Sequence, residues 1–488
     1  MSDMFPDIHD TPASEADIRA ALRQAADLAA RYLATRGEYP VIPNIAPGDV
    51  AAALPDAPPE VPETLEAVLG DYRRLIEPNV THWNHPGFLA YFAITGSTAG
   101  VMGETLSAAL KSNAMLWKSG PAPTELEERV CDWLRQMVSL PTGFVGHIND
   151  TASIATMLAL AAARERAFPS IRQDGMSGRT DLPRMTVYAS EQAHSSVDKA
   201  MVALGLGLAQ LRRIPTDDAF RAKPDALREM IAADRAAGMR PIAVVATLGT
   251  TSTTSVDPAA DMAVVARESG AWLHVDAAYA GPAAISPALR PLMRGWELAD
   301  SIVLNPHKWM FTPVDCSVTL VRDVETWKRA FSITPEYLRT DVGAATNLMD
   351  YGVQLGRRFR ALKLWMVIRA YGVSGLRTHI ERHCALAREL GEWIDGDDRF
   401  ERVAPTPFSL VCFRALPQDA NATATEIDAL NERMLARINT DGAVFLSHTK
   451  LNGRFTLRVA IGNQHTNRAT IENAWTIIRC AYDEVAGA

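Results

Sequence analysis

Trp272-Leu273-His274-Val275-Asp276-Ala277-Ala278-Tyr279-Ala280 and Ser301-Ile302-Val303-Leu304-Asn305-Pro306-His307-Lys308-Trp309 share one design: a short apolar run, then polar residues among small or rigid ones. Apolar runs of this length, bounded by turn formers, read as buried strands. The same reading predicts strands at 186–189, 242–248, 272–277, 301–304 and 317–321, with helical stretches between several of them. That alternation argues for βαβ units and a mainly parallel sheet flanked by helices, an α/β fold. Ligands of such sheets sit beyond the C-terminal ends of the strands. Asp276 ends one strand and Lys308 follows the next, so their side chains are placed to converge on one crevice.

Outward from this centre the texture changes. Ser14 with Asp17 makes a helix N-cap, and Ile18, Ala21, Leu22, Ala25, Leu28, Ala29, Tyr32 and Leu33 recur at helical spacing until Gly37 and Pro40. A Pro-rich stretch (Pro55, Pro58, Pro59, Pro62) and a second amphipathic helix over 64–75 follow. An amphipathic arm with little core of its own must pack on something, and a partner subunit is the candidate. Downstream, helical patterns over 359–371 and 376–395 lead to strand-like runs at 410–414, 444–447 and 455–461. The expected organisation is an N-terminal helical arm (1–95), a large α/β domain (96–370) and a small α+β domain (371–488).

The bulk numbers exclude several function classes. With 488 residues, 48% hydrophobic, the chain can bury a large core and a smaller one. Its 49 basic and 57 acidic residues give a net charge of -8, which offers no footing for nucleic acid or an anionic membrane. No apolar run reaches the roughly 18 residues of a membrane span, and Met1 to Asp10 lack a secretory pattern. The five cysteines (Cys131, Cys316, Cys384, Cys412, Cys480) are scattered without a CxxC pair, so buried thiols in the cytoplasm are expected, not disulfides. No metal site is expected.

Lysine and carboxylate at adjacent strand ends suit one cofactor in particular. Pyridoxal phosphate needs a lysine to form an imine with its aldehyde and a carboxylate to keep its pyridine nitrogen protonated. It also needs donors for its phosphate and a group over its ring face. Pro306, His307 and Trp309 are unusual company for a solvated lysine. Taken with Gln192-Ala193-His194-Ser195-Ser196-Val197, Ala246-Thr247-Leu248-Gly249-Thr250-Thr251 and Leu355-Gly356-Arg357-Arg358-Phe359-Arg360, the two opening stretches resemble the signature segments of the pyridoxal-phosphate-dependent aromatic-L-amino-acid decarboxylases. Thr81-His82-Trp83, Ala90-Tyr91-Phe92 and Pro121 with Thr124-Glu125-Leu126-Glu127 extend the likeness toward the N-terminus. It runs in order over nearly the whole chain.

The resemblance implies the type I pyridoxal-phosphate fold and a set of roles. Lys308 is the imine lysine, Asp276 pairs with the pyridine nitrogen and His194 stacks on the ring. Thr151, Ala152, Ser153, Asn305 and His307 hold the phosphate, Thr151–Ser153 at the start of a helix whose N–H groups face the anion. Thr251 and Ala278 lie beside the cofactor, while Arg358 and Arg458 brace the site. Tyr337, in a stretch without strong periodicity, reaches the other subunit's site and protonates Cα after CO2 has left, which makes the enzyme a homodimer with its sites at the interface.

The resemblance also sets the substrate. Trp83, Tyr91 and Phe92 match the family's side-chain pocket, and Gly356 stands where glycine goes with bulky aromatic rings. Ile94 removes a hydroxyl found in the animal enzymes. Met115, in Asn113-Ala114-Met115-Leu116-Trp117 (the partner-subunit segment), replaces a phenylalanine there and broadens the pocket. The implied activity is decarboxylation of tryptophan, 5-hydroxytryptophan, tyrosine, dihydroxyphenylalanine or phenylalanine to the amine and CO2. Two alternatives stand beside it: an aldehyde synthase of the same family, in which oxygen intercepts the reaction, and an aminotransferase-like enzyme on the same fold. Retention of Tyr337 and His194 favours simple decarboxylation.

Overall fold

The computed structural model describes residues 14–333 and 345–486. Its centre is a seven-stranded sheet in the order β1-β7-β6-β5-β4-β2-β3. The strands are β1 (Val145–Asn149), β2 (Met185–Ser190), β3 (Leu211–Ile214), β4 (Arg240–Thr247), β5 (Trp272–Asp276), β6 (Ser301–Leu304) and β7 (Ser317–Val321). From β6 through β5, β4 and β2 to β3 all pairings are parallel, and β7 alone runs the other way, antiparallel to both β6 and β1. Every residue of β2, β5, β6 and β7 is buried, because helices cover both faces; such strands read as continuous apolar runs without alternation. This is the expected α/β fold.

The expected central strands form within a residue or two of their predicted ends. Two further strands, β1 and β3, have no counterpart among the predicted ones. Both are edge strands with a single neighbour, and they carry His147, Asn149, Arg212 and Arg213 where a buried strand would carry aliphatics.

A second sheet, β10-β11-β9-β8, is antiparallel throughout and built from β8 (Phe400–Arg402), β9 (Leu410–Ala415), β10 (Ser447–Leu451) and β11 (Arg454–Ala460). The strand expected over 444–447 starts only at Ser447. Residues 444–446 are drawn aside to the N-terminal segment, where Phe445 N–H donates to Gly87 O and Leu89 N–H donates to Phe445 O, each at 2.9 Å. Helix Ala361–Asp395 joins the two sheets. Its interior is broken at Gly372 (φ 60°, ψ 172°), between the two helices the sequence predicts.

Ser14 caps helix Glu15–Thr35 with the expected capping box, yet no residue of that helix is buried. It docks through polar groups instead: Arg31 pairs with the buried Glu77 at 2.7 Å, and Tyr32 Oη lies 3.0 Å from His82 Nδ1. Among the described residues no helix is long and apolar enough to cross a membrane.

Candidate active site

The strand ends meet around a cavity of about 190 Å³. Asp276 is the last residue of β5, and Thr247 the last of β4. Lys308 lies in the one-turn helix Pro306–Trp309 that follows β6, and Thr151 caps helix Ala152–Ala167 after β1. The wall contains Thr151, Ala152, Ser153, His194, Thr251, Asp276, Ala278, Asn305, His307 and Lys308, every cofactor residue the sequence nominates. It also contains Thr247, Gly249 and Tyr279, which belong to the signature segments but carry no predicted role. Their signal is position: each ends or closely follows a strand. Gly249 is there of necessity, since at φ 93° a Cβ would fall 2.6 Å from Ala280 Cβ.

Electrostatics make the cavity suited to an amine, an aldehyde and an anion. Burial pushes the Lys308 ammonium below its ordinary pKa, opposed by the charge of Asp276. Asp276 Oδ1 accepts from Ala278 N–H at 3.0 Å, which sets the carboxylate's direction. His194 Nδ1 accepts from Ser196 N–H at 3.1 Å, and burial lowers its pKa, so it is a neutral ring. His307 Nδ1 accepts from Cys316 N–H at 3.0 Å, and burial, then the neighbouring Lys308, push its pKa down to about 4. A neutral His307 with Nδ1 so engaged carries its proton on Nε2 and is a donor there.

These residues fit pyridoxal phosphate. Among the described residues, Asn305 Oδ1 and Thr247 Oγ1 are buried polar atoms without a protein partner, a cost that a polar ligand relieves. Helix Ala152–Ala167 begins at the wall, and its first-turn N–H groups have no intrahelical acceptor.

Behind the lysine runs a stack of rings. Tyr279 lies between Phe92 (3.5 Å between centroids) and Trp309 (4.6 Å). Lys308 Nζ is 5.8 Å from the Phe92 ring centroid. Arg458 of β11 is buried and donates to Thr251 O at 2.5 Å and to Ser252 O at 3.1 Å, tying the second sheet to the cavity wall. Arg358 pairs with Glu104, with Asp315 at 3.8 Å, away from the cavity.

Of the substrate residues nominated, Phe92 alone lines the cavity within this chain. Trp83 and Tyr91 belong to a neighbouring aromatic cluster with Phe88 and Phe445, a connection absent from the local sequence pattern. Ile94 is half-buried, and Met115 and Gly356 sit together near Asn113. Tyr337 lies outside the described residues.

Comparison with known proteins gives a consistent assignment. The model of the pyridoxal-dependent decarboxylase conserved domain matches residues 47–416. Tryptophan decarboxylase 1 of Oryza sativa is 39% identical over 96% of this chain and 94% of its own length, and phenylacetaldehyde synthase of Arabidopsis thaliana is 40% identical over 93% of each. Among solved structures, Oryza sativa TDC with PLP and tryptamine superposes with a TM-score of 0.93 at 38% identity, covering 97% of this chain and 99% of that one. Catharanthus roseus tryptophan decarboxylase in complex with L-tryptophan gives 0.91 at 36%, covering 98% and 100%. The chain belongs to the pyridoxal-dependent decarboxylase family.

Proposed function

We propose that the chain decarboxylates an aromatic L-amino acid to the corresponding amine and CO2, as a cytoplasmic homodimer with its sites at the subunit interface. The observation that carries this reading is the convergence of Lys308 and Asp276 on one cavity whose wall also holds the neutral rings of His194 and His307. When bound there, pyridoxal phosphate draws electrons away from the substrate Cα, so that the bond to the carboxylate can break.

The remaining work falls to the protein. Lys308 holds the cofactor through Nζ, and burial, which disfavours its charged form, eases loss of the ammonium proton. Asp276 holds a proton on the pyridine nitrogen, and His194 covers the ring face. Thr151, Ala152, Ser153, Asn305 and His307 bind the phosphate, with Thr251 and Ala278 beside the ring. Trp83, Tyr91, Phe92, Ile94, Met115 and Gly356 receive the substrate side chain. Tyr337, from the partner, delivers the proton to Cα.

Three observations support the dimer. No residue of helix Glu15–Thr35 is fully buried, Met102, Leu106 and Leu110 form an exposed apolar stripe on helix Thr98–Leu110, and most of the nominated side-chain pocket stands away from the cavity of its own chain. The arm (1–95), large domain (96–370) and small domain (371–488) are read as the working units. A second reading, an aldehyde synthase, is favoured by the phenylacetaldehyde synthases of Arabidopsis and Petunia hybrida at 40% and 38% identity. His194 and Tyr337 support amine formation over it.

The test loads purified protein with pyridoxal phosphate and offers tryptophan, 5-hydroxytryptophan, tyrosine, dihydroxyphenylalanine, phenylalanine, histidine and glutamate. CO2 and amine are expected in equal amounts from aromatic members, and Lys308→Ala should abolish both along with the bound cofactor's absorbance. Turnover of glutamate or histidine alone would sink the aromatic assignment. Hydrogen peroxide and ammonia in step with CO2 would favour the synthase.

A further inference from the structure

Asn113 stands beside Gly356 with its amide fixed in orientation. Its Oδ1 accepts the backbone N–H of Arg357 at 2.9 Å. The NH2 group is therefore turned toward the space over Gly356, where, among the described residues, a Cβ would meet only Asn113 Nδ2, at 3.9 Å. Among the described residues its one acceptor is the thioether sulfur of Met115, at 3.4 Å, a weak partner for an amide. A good donor held in place and left with a thioether is a position for an incoming oxygen.

We propose that Asn113 is a specificity-determining residue whose amide N–H donates to a hydroxyl oxygen on the substrate's aromatic ring. This rests on the reading above, in which Met115 and Gly356 form part of the side-chain pocket. Within the nominated pocket Trp83 and Tyr91 also carry donors, but they belong to the aromatic cluster with Phe88 and Phe445, whereas Met115 and Gly356, beside Asn113, offer a ring hydroxyl no conventional side-chain donor. The absence of a side chain at Gly356 leaves the ring room to approach. A substrate without the hydroxyl leaves Nδ2 with sulfur alone once water is expelled, and is disfavoured. The preferred substrates are therefore hydroxylated: tyrosine over phenylalanine, and 5-hydroxytryptophan over tryptophan.

The experiment compares kcat/KM for both pairs, and for 5-methoxytryptophan, in cofactor-loaded wild type, Asn113→Val and Asn113→Asp. Valine removes the donor. Aspartate keeps the acceptor for Arg357 N–H, which protects the fold, and replaces the donor with a second acceptor. Cofactor absorbance checks that each variant is loaded. Wild type should favour the hydroxylated member of at least one pair by about five- to tenfold, the worth of one hydrogen bond, and Asn113→Val should bring that ratio close to one. Asn113→Asp should lower the 5-methoxytryptophan-to-tryptophan ratio by a similar factor, since an ether oxygen can only accept. A wild-type ratio near one, or ratios unchanged in both variants while aromatic turnover persists, overturns this inference and leaves the aromatic decarboxylase reading standing. No CO2 from any aromatic amino acid overturns that reading and this inference together.

Discussion

Phe92 and Tyr279 lie face to face, their ring centroids 3.5 Å apart and their planes 6° from parallel. Tyr279 stacks in turn on Trp309 at 7°, and Trp309 Nε1 donates to His383 Nδ1 at 3.0 Å. The column joins four distant parts of the chain: the C-terminal end of the arm, the turn after β5, the turn carrying Lys308, and helix Ala361–Asp395. Because Trp309 directly follows Lys308 and is fully buried, the column fixes the backbone from which the lysine projects. Trp309→Leu should therefore destabilise the cofactor-free protein by about 2–4 kcal/mol and weaken cofactor retention beyond that loss. Trp309→Phe keeps a ring but drops the bond to His383, at about 1 kcal/mol. Thermal melts and cofactor titrations of both variants separate the two effects.

Asp257 makes a second support from behind the cavity. Its Oδ1 accepts from Ala222 N–H and its Oδ2 from Thr247 N–H, each at 2.8 Å, and it is fully buried. Thr247 ends β4 at the cavity wall. Asn in place of Asp257 would face one of those N–H groups with an NH2, at a cost of roughly 1–3 kcal/mol. Urea titrations should register that loss, and cofactor affinity should fall with it.

The pH dependence of stability should be set by buried histidines. Burial pushes His147 and His383 down to about 3, and His274, His307 and His465 down to about 4, from an ordinary 6.5. A base with a depressed folded-state pKa stabilises fully above 6.5 and loses that contribution as pH falls toward 4. Asp257, raised from 3.8 to about 6 by burial, acts oppositely: its contribution is full below 3.8 and is lost as pH rises through 6. Each tenfold change in proton affinity between the folded and unfolded chain is worth about 1.4 kcal/mol, so the histidines outweigh the single carboxyl. The melting temperature should drop between pH 6.5 and 4.5. A flat or rising profile over that window would contradict these assignments.

The first helix, Glu15–Thr35, should be separable from the rest. Glu77 is buried and holds Arg31 with both oxygens, at 2.7 and 2.9 Å, and accepts from Tyr39 Oη at 2.5 Å. Arg31 is about half exposed, so solvent screening limits the pair, and Glu77→Gln should loosen helix Glu15–Thr35 by only about 1–2 kcal/mol. Proteolysis within Glu15–Thr35 should then speed up several-fold while the global melt moves little.

What the sequence disclosed follows from how each part is buried. β5 and β6 are covered on both faces, so Trp272–Asp276 and Ser301–Leu304 stand out as apolar runs, and the residues directly after them fall at the site. β1 and β3 sit at the edges and tolerate His147 and Arg213, which erases that pattern. The aromatic cluster of Trp83 and Tyr91 depends on Phe445, brought in by pairing of 444–446 with 87–89, and nothing local signals a contact at that separation. The role proposed for Asn113 likewise depends on Arg357, whose backbone N–H orients the amide.

Tyr337 gives the sharpest test of chemistry. The relatives include both amine-forming decarboxylases and phenylacetaldehyde synthases, so the two outcomes differ by what meets the electron-rich Cα first, a proton or oxygen. A positioned acid speeds such a proton transfer by about 10²–10⁴-fold. Tyr337→Phe should slow amine release within that range and let oxygen compete. The balance is then amino acid, O2 and water consumed, with aldehyde, CO2, ammonia and hydrogen peroxide formed. Oxygen uptake, peroxide and amine measured in one reaction give the partition directly. Amine as the sole product at an undiminished rate would remove Tyr337 from the mechanism and assign the proton to another group on the cavity wall, with His194, the neutral ring beside Asp276 and Lys308, as the first to be substituted.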